Sequence, residues 1–217
     1  MSTQALYDFD GTITTKDTTI LLLVALLKLR PWRFSGLIWL LLRMIVASDS
    51  VSKQRHKNKA IGYLIKDLSD MRLSGALKDF RNKVKSLYRL SVLTSIHQAI
   101  QNGCTVLIVT ASPSFAISDC LSDLPVIVLG TEFEKEENIY TGLLKSENCY
   151  GKEKVNRINE WARSNKIGLS VQSAWSDHFS DFDMLSLSAK RYWVGGEELR
   201  RLIMARDPEA NFVHTEQ

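Results

Sequence analysis

A single short apolar run, Ala5–Phe9, precedes a long block from about Lys16 to Leu90 that carries helical periodicity and almost no β signal. From Thr105 the pattern changes again. Thr105–Thr110 is a β-branched apolar run of the kind found in buried parallel strands. A helix is expected over Ser114–Leu121, a second buried strand over Val126–Leu129, and a β excursion at Tyr140–Leu144. Glu153–Ser164 places Val155, Ile158, Trp161 and Ala162 on one helical face. A third strand is expected at Val171–Trp175, a helix at Asp181–Ala189 and an edge strand at Arg191–Val194. Alternation of this kind predicts an α/β fold built on a doubly wound, Rossmann-like parallel sheet. The helical block interrupts it as an insertion after the first strand. The expected division is a core of residues 1–14 and 91–217 and an all-helical cap of residues 15–90. A cap so inserted lies over the carboxyl ends of the strands, where open α/β sheets bind ligands.

Charge divides along the same line. The net charge is +4, yet residues 15–90 carry sixteen Lys and Arg against five Asp and Glu. The remainder carries twelve against nineteen. A basic insert beside an acidic core suits an anionic partner, although a solvated helical surface would show the same composition. Cys104, Cys120 and Cys149 are odd in number, widely spaced and without a CxxC. That argues against a disulfide framework or a zinc site and favours a reducing compartment. The start, Met1-Ser2-Thr3-Gln4, has no basic region of a secretory signal. The expected location is cytoplasmic, with peripheral contact at the inner face of a membrane. From Arg206 onward, Asp207-Pro208 and the polar ending predict a frayed tail.

The insert opens with two apolar runs, Ile20–Leu27 and Phe34–Leu42, separated by Lys28, Arg30, Pro31 and Arg33. Neither approaches the roughly 20 residues of a spanning helix, and Pro31 breaks their continuity. A helical hairpin is expected. Its helices either pack into the cap core or a dimer, or they dip into a membrane surface while the cations meet phosphates. Trp32 and Trp39 suit the second reading, because an indole keeps its N–H wet and its ring apolar. The cluster Lys53, Arg55, Lys57, Lys59 adds positive charge, or is a solvated helix start. No nucleic-acid recognition motif or aromatic stacking platform accompanies it.

Chemistry concentrates at strand ends. Asp8 and Asp10 follow the first strand in Asp8-Phe9-Asp10-Gly11-Thr12, and Thr110 ends the second. Lys154 begins a helix, and Asp177 and Asp181 follow the strand Val171–Trp175. In a parallel sheet all of them meet at one edge. Together they suit transfer of a phosphoryl group. Asp8 is the candidate nucleophile and Asp10 the general acid and base. Asp8, Asp177 and the main-chain carbonyl of Asp10 are the candidate ligands for Mg2+. Thr110 and Lys154 would neutralise phosphoryl oxygens.

Asp8–Thr12, Val109-Thr110-Ala111-Ser112-Pro113, Lys154 and Ser176-Asp177-x-x-x-Asp181 resemble the four motifs of the haloacid dehalogenase superfamily of phosphohydrolases, in the same order. The all-helical insertion after the first motif resembles the phosphoserine-phosphatase-like branch. Within it, the apolar, basic insert and Gly151-Lys152-Glu153-Lys154-Val155 look most like the phosphatidylglycerophosphatase C family. The resemblance implies an aspartyl-phosphate mechanism, Mg2+, a phosphomonoester substrate such as a lipid head-group phosphate, and Asp181 supporting the metal aspartate Asp177. It also assigns Asp17, Ala111 and Ser112 to substrate binding. Phosphoserine-specific members carry a glutamate where this chain has Asp17, and glycines where it has Ala111-Ser112-Pro113. Lys152 competes with Lys154 for the third motif, and Ile158, one turn on, favours Lys154. A soluble phosphatase for a small metabolite and a non-catalytic binding module are the alternatives.

Overall fold

The computed structural model describes residues 3–214. Strand β1 (Gln4–Tyr7) runs into a tight turn over Phe9–Ile13, and four helices follow: α1 (Thr19–Leu29), α2 (Phe34–Val46), α3 (Ser50–Ile65) and α4 (Asp70–Lys85). Helix α5 (Leu90–Gln101) returns the chain to β2 (Thr105–Pro113), α6 (Ser114–Cys120) and β3 (Ile127–Thr131). A hairpin, β4 (Phe133–Glu136) and β5 (Ile139–Leu144), precedes α7 (Lys152–Ser164) and β6 (Val171–Ser176). The chain ends through α8 (Phe182–Leu185), β7 (Arg191–Gly195), α9 (Glu197–Arg206) and β8 (Asn211–His214).

Six parallel strands form one sheet in the order β3-β2-β1-β6-β7-β8. The chain winds one way from β1 to β3 and then returns to the other side of β1 at β6. That reversal opens a crevice beyond the carboxyl ends of β1 and β6, the switch point at which such sheets bind ligands. Strand periodicity sorts the side chains into two cores. Ala5, Tyr7, Val106 and Ile108 face one layer, whereas Leu6, Leu107, Val109 and Trp193 face the other. Tyr7, Trp175 and Tyr192 stack across three neighbouring strands, with ring centroids 5.6 Å and 4.1 Å apart.

The inserted helices leave and rejoin the core at one neck. The Thr15 N–H donates to Leu87 O at 2.9 Å and the Arg89 N–H to Ile13 O at 2.8 Å. A second seat holds α3 to the hairpin. Asp67 N–H donates to Tyr140 O at 2.8 Å, Tyr140 N–H donates to Leu68 O at 2.9 Å, and the Asp70 carboxylate accepts from Lys135 and the Tyr140 hydroxyl. The backbones meet there at Gly62 and Gly142. A Cβ on Gly62 would lie 2.1 Å from the Gly142 carbonyl oxygen.

The two apolar runs of the insert have different fates. Helix α1 buries Leu22, Leu23, Ala25 and Leu26, whereas α2 buries Leu37 alone. Trp32, Phe34, Trp39, Leu42, Ile45 and Val46 are exposed. Among the described residues no helix is long and apolar enough to cross a membrane.

Three expectations need correction. The helix expected over Asp181–Ala189 is only Phe182–Leu185, preceded by a 3-10 turn. The Ser186 hydroxyl turns back to Phe182 O at 2.8 Å and Ser188 Oγ accepts the Lys190 N–H at 3.1 Å, so serine side chains compete with helical bonding. Strand β7 is interior, because β8 pairs outside it. The tail after Arg206 is therefore ordered through His214. Buried Asp207 accepts from Arg191 Nε at 2.9 Å and from Trp193 Nε1 at 3.0 Å, which folds the chain back onto the sheet.

Helix propensity alone would make Gly62→Ala stabilising by about 1 kcal/mol. The close approach to Gly142 reverses the sign, and overpacking should destabilise the protein by roughly 1–3 kcal/mol. Urea unfolding of the single variant measures it; a gain in stability would show that α3 and the hairpin are not in contact.

Candidate active site

The first turn after β1 is shaped by a glycine. Gly11 has φ +80°, and a Cβ there would lie 2.1 Å from Asp177 Oδ2. Only glycine offers both that backbone region and that space. The turn therefore lets the Asp177 carboxylate pack against the main chain that separates Asp10 from Thr12. The Thr12 hydroxyl donates to Asp177 Oδ1 at 2.9 Å and fixes its orientation.

Lys154 is the centre of charge. It is 2% exposed, and its Nζ donates to Asp8 Oδ1 and Asp181 Oδ2, each at 2.7 Å. The Ser176 hydroxyl donates to the same Asp181 oxygen at 2.7 Å. Burial opposes charge on the lysine, but Asp181 and Asp8 outweigh it and push its pKa up. Lys152, the competing lysine, is exposed and lines a different cavity. The reason is helical phase: Lys154 shares its inward face with buried Ile158, four residues on.

Asp8 and Asp181 thus share one ammonium, and with Asp177 lining the same cavity the cluster carries a charge of about minus two when all three are ionised. Burial raises the pKa of Asp8, assisted by Asp181 and Asp177 and opposed by Lys154. Asp177 is raised by burial and by Asp181, against the hydrogen bond from Thr12. A site so short of positive charge, with oxygen donors only, fits a hard divalent cation. Asp10 does not add its carboxylate to that set. Its Oδ1 accepts from the Thr18 N–H and hydroxyl, each at 2.7 Å, and its Oδ2 accepts from the Ser112 hydroxyl. Among the described residues, no three His, Cys, Asp or Glu side chains are grouped to hold a metal. The donors available are therefore the carboxylates of Asp8 and Asp177 with the main-chain carbonyl of Asp10.

Thr110 is buried near the carboxyl end of β2, and its Oγ1 accepts the Ser112 N–H at 3.0 Å. That bond leaves the hydroxyl proton for an acceptor in the crevice. Ala111 lines the same crevice, while its carbonyl accepts from Thr131. The cavity has a volume of about 260 Å³ and brings together Asp8, Asp10, Asp17, Thr110, Ala111, Lys154, Asp177 and Asp181. Ser112 adjoins it through Asp10. Asp17 is placed there differently from a free substrate ligand. Its Oδ1 accepts the Thr19 N–H at 2.6 Å, and its Oδ2 lies 3.7 Å from Lys57.

Sequence reasoning missed several contributors. Thr12, Thr18 and Ser176 orient the three aspartates Asp177, Asp10 and Asp181. Lys57 comes from the insert and is 5% exposed. Its membership in a basic cluster hid it; the signal was its position four residues after Lys53 and four before Ile61, on a face that turns inward. His178 caps the following turn, with Nδ1 accepting the Ser180 N–H at 3.1 Å. Cys120 and Cys149 are buried with thiols pushed up to about 12, so neither is a nucleophile.

Replacing Lys154 with Met should leave two buried carboxylates unpaired and cost about 3–5 kcal/mol. Adding Asp181→Asn should recover part of the loss. Denaturant unfolding of the single and double variants checks both, and an undiminished Lys154→Met protein would refute the buried bridge.

A family model described as haloacid dehalogenase-like hydrolase matches residues 5–186. Protein CicA from Caulobacter vibrioides is 26% identical over 193 residues, covering 85% of this chain and 82% of its own. A Bordetella pertussis Tohama I protein of unknown function superposes with a TM-score of 0.77 at 18% identity, over 98% of this chain and 99% of that one. A substrate-bound phosphoserine phosphatase superposes with a TM-score of 0.63 at 14% identity, over 99% and 94%.

Proposed function

Because the chain belongs to the haloacid dehalogenase-like hydrolase family, we propose that it is a magnesium-dependent phosphomonoester hydrolase that works through a phosphorylated Asp8 and acts on a lipid head-group phosphate. The observation that carries the phosphatase reading is the convergence of Asp8 and Asp181 on the buried Lys154, with Asp177 lining the same cavity. The carboxylates of Asp8 and Asp177 and the Asp10 carbonyl would hold Mg2+, which when bound supplies the positive charge that buried carboxylates and phosphoryl oxygens both require.

In this reading Asp8 Oδ2, the oxygen not held by Lys154, attacks phosphorus, and the bond from phosphorus to the leaving oxygen breaks. Lys154 and the Thr110 hydroxyl take phosphoryl oxygens, so the developing charge meets fixed partners. Asp10, gripped by Thr18 and Ser112, gives its proton to the departing alcohol. It then takes a proton from water, which attacks phosphorus and returns Asp8 as a carboxylate. Residues 15–90 act as a cap over the core of residues 1–14 and 91–217, and its seat on the hairpin excludes water during the reaction.

The lipid reading rests on the insert's surface. Trp32, Phe34, Trp39, Leu42, Ile45 and Val46 project an apolar face that stays exposed among the described residues. Arg43 stacks on Trp39 with 3.8 Å from its guanidinium carbon to the ring centroid, so charge and indole sit together as at a membrane interface. Each basic residue near an anionic leaflet adds about 1 kcal/mol of attraction.

Phosphate release should be measured from phosphatidylglycerophosphate in mixed micelles, phosphoserine and a chromogenic phosphomonoester, with and without Mg2+. We expect activity that chelation abolishes and a preference for the lipid. Asp8→Asn should fold normally and release no phosphate; turnover in that variant would remove Asp8 as nucleophile. Asp10→Asn should slow esters of poor leaving groups by about 10²–10⁴-fold and chromogenic esters less. Equal losses would remove Asp10 as the acid. The protein should float with anionic vesicles, and Ile45→Glu with Val46→Glu should abolish flotation. Failure of the wild type to float, together with a dimer by ultracentrifugation, would assign the apolar face to self-association and the enzyme to soluble esters.

A further inference from the structure

Gln54, Asn58 and Gly62 recur at four-residue intervals along one face of α3. Gly62 meets Gly142 at the hairpin seat. Earlier along the same face, a cavity of about 650 Å³ lies between α3 and the core. Gln54 and Asn58 line it from the insert, Leu143 and Leu144 from β5, and Lys152 and Glu153 from the first turn of α7. Gln54 and Tyr150 also line the catalytic cavity, so they stand between the two spaces. Asn58 is 3% exposed, and neither its Nδ2 nor its Oδ1 has a hydrogen-bond partner among the described residues. The Gln54 Oε1 is also unpartnered there. Other polar groups of this wall are satisfied. Glu153 accepts from Asn156 at 2.8 Å and from Arg157 at 3.0 Å, and Asn148 Oδ1 accepts from Thr131 at 2.7 Å. A carboxamide buried without partners is costly, and an apolar side chain of the same shape would avoid that cost.

We propose that this cavity is a second, non-catalytic ligand site, in which Asn58 binds a planar group that presents a donor and an acceptor side by side, as a nucleobase or a small carboxamide does. A carboxamide side chain offers the complementary pair, an N–H donor beside a carbonyl acceptor, and such pairs are bidentate when the partner is planar. The volume lies within the range of about 300–1,000 Å³ that small-molecule sites occupy. Leu143 and Leu144 offer apolar surface to the face of a ring. The proposal stands apart from the phosphohydrolase reading, because Asp8, Asp10, Thr110, Lys154 and Asp177 line the other cavity. A ligand here touches α3 of the insert and both β5 and α7 of the core. Helix α7 also carries Lys154 on its inward face. A bound ligand therefore ties the insert to the helix that holds the central ammonium, and it favours the arrangement in which both walls of its site are present.

The test titrates adenosine, cytidine and nicotinamide into the 15N-labelled protein, beside the same three molecules with the exocyclic or amide nitrogen dimethylated. None of them carries a phosphate, so binding is read without turnover. At least one parent molecule should bind with a Kd of about 1 mM or tighter and shift the side-chain NH2 resonances of Asn58. Its dimethylated form should bind at least about tenfold more weakly, because the lost donor leaves the Asn58 carbonyl unmet. Asn58→Leu should weaken the parent by a similar factor while keeping its thermal midpoint, and Gln54→Leu should weaken it less. The dimethyl comparison is made on the wild type, so it stands even if Asn58→Leu fails to fold. Amide exchange of Asp67 and Tyr140, which bond across the hairpin seat, should slow when the ligand is bound. A nucleoside preference assigns the site to a nucleobase, and a nicotinamide preference assigns it to a smaller carboxamide. Absence of binding by all three parents, or binding that neither dimethylation nor Asn58→Leu weakens, would overturn the proposal. Displacement of the bound probe by orthophosphate with Mg2+ would place it in the catalytic cavity and overturn the proposal too. Binding by a protein that hydrolyses no ester would uphold this inference and refute the phosphohydrolase reading. Hydrolysis that disappears in Asp8→Asn, without binding of any probe, would refute this inference alone.

Discussion

One buried ammonium orders the centre of this molecule. Lys154 binds carboxylates from two different strand ends, Asp8 after β1 and Asp181 beyond β6, each at 2.7 Å. Those strands are neighbours at the reversal of the sheet, so the lysine closes the crevice that topology opens. Breaking such a pair is costly because the surviving charge stays buried, and building it is favourable only when further hydrogen bonds satisfy the same atoms. The Ser176 hydroxyl does this for Asp181. The arrangement still leaves carboxylates in excess, a charge that suits a hard cation.

The layers around the bridge follow from this need. Thr12 and Gly11 bring Asp177 against the β1 turn, while Thr18 and Ser112 draw the Asp10 side chain to the other side. Two aspartates only two residues apart are thereby given opposite surroundings. In the proposed mechanism that separation is what lets one act as nucleophile and the other as acid, since catalytic roles are divided by environment more than by residue type. The same turn leads directly into the neck of the insert, where Arg89 bonds to both Ile13 O and Gly11 O. A movement of the helices at that neck would be felt at the aspartates.

The insert is held at two points, the neck and the hairpin seat, and between them α3 directs Lys53 and Lys57 into the crevice. Its other side is different in character. Helix α2 contributes one buried side chain to the fold and spends the rest of its apolar surface outward. A globular protein rarely exposes a contiguous patch of this kind without using it. The inner, basic wall and the outer, apolar face belong to one set of helices, and the proposed lipid reading rests on the second of them.

The sequence by itself determined the α/β class, the parallel winding and the place of the insertion, because apolar periodicity reports directly on local geometry. It also anticipated that Asp8, Asp10, Thr110, Lys154, Asp177 and Asp181 would gather around one cavity, since a parallel sheet brings the ends of its strands to one edge. Lys57 escaped it: a lysine in a basic cluster looks solvated until the helix that carries it is docked. The ordered tail escaped it too, because the burial of Asp207 depends on Arg191 and Trp193, distant in the chain. So did the division of labour between α1 and α2, whose compositions are alike and whose burial is not. Local pattern reports which face of an element is apolar. Only the packing of elements far apart in sequence decides whether that face meets core, cavity or the outside, because those contacts are made in space by residues the chain does not place side by side.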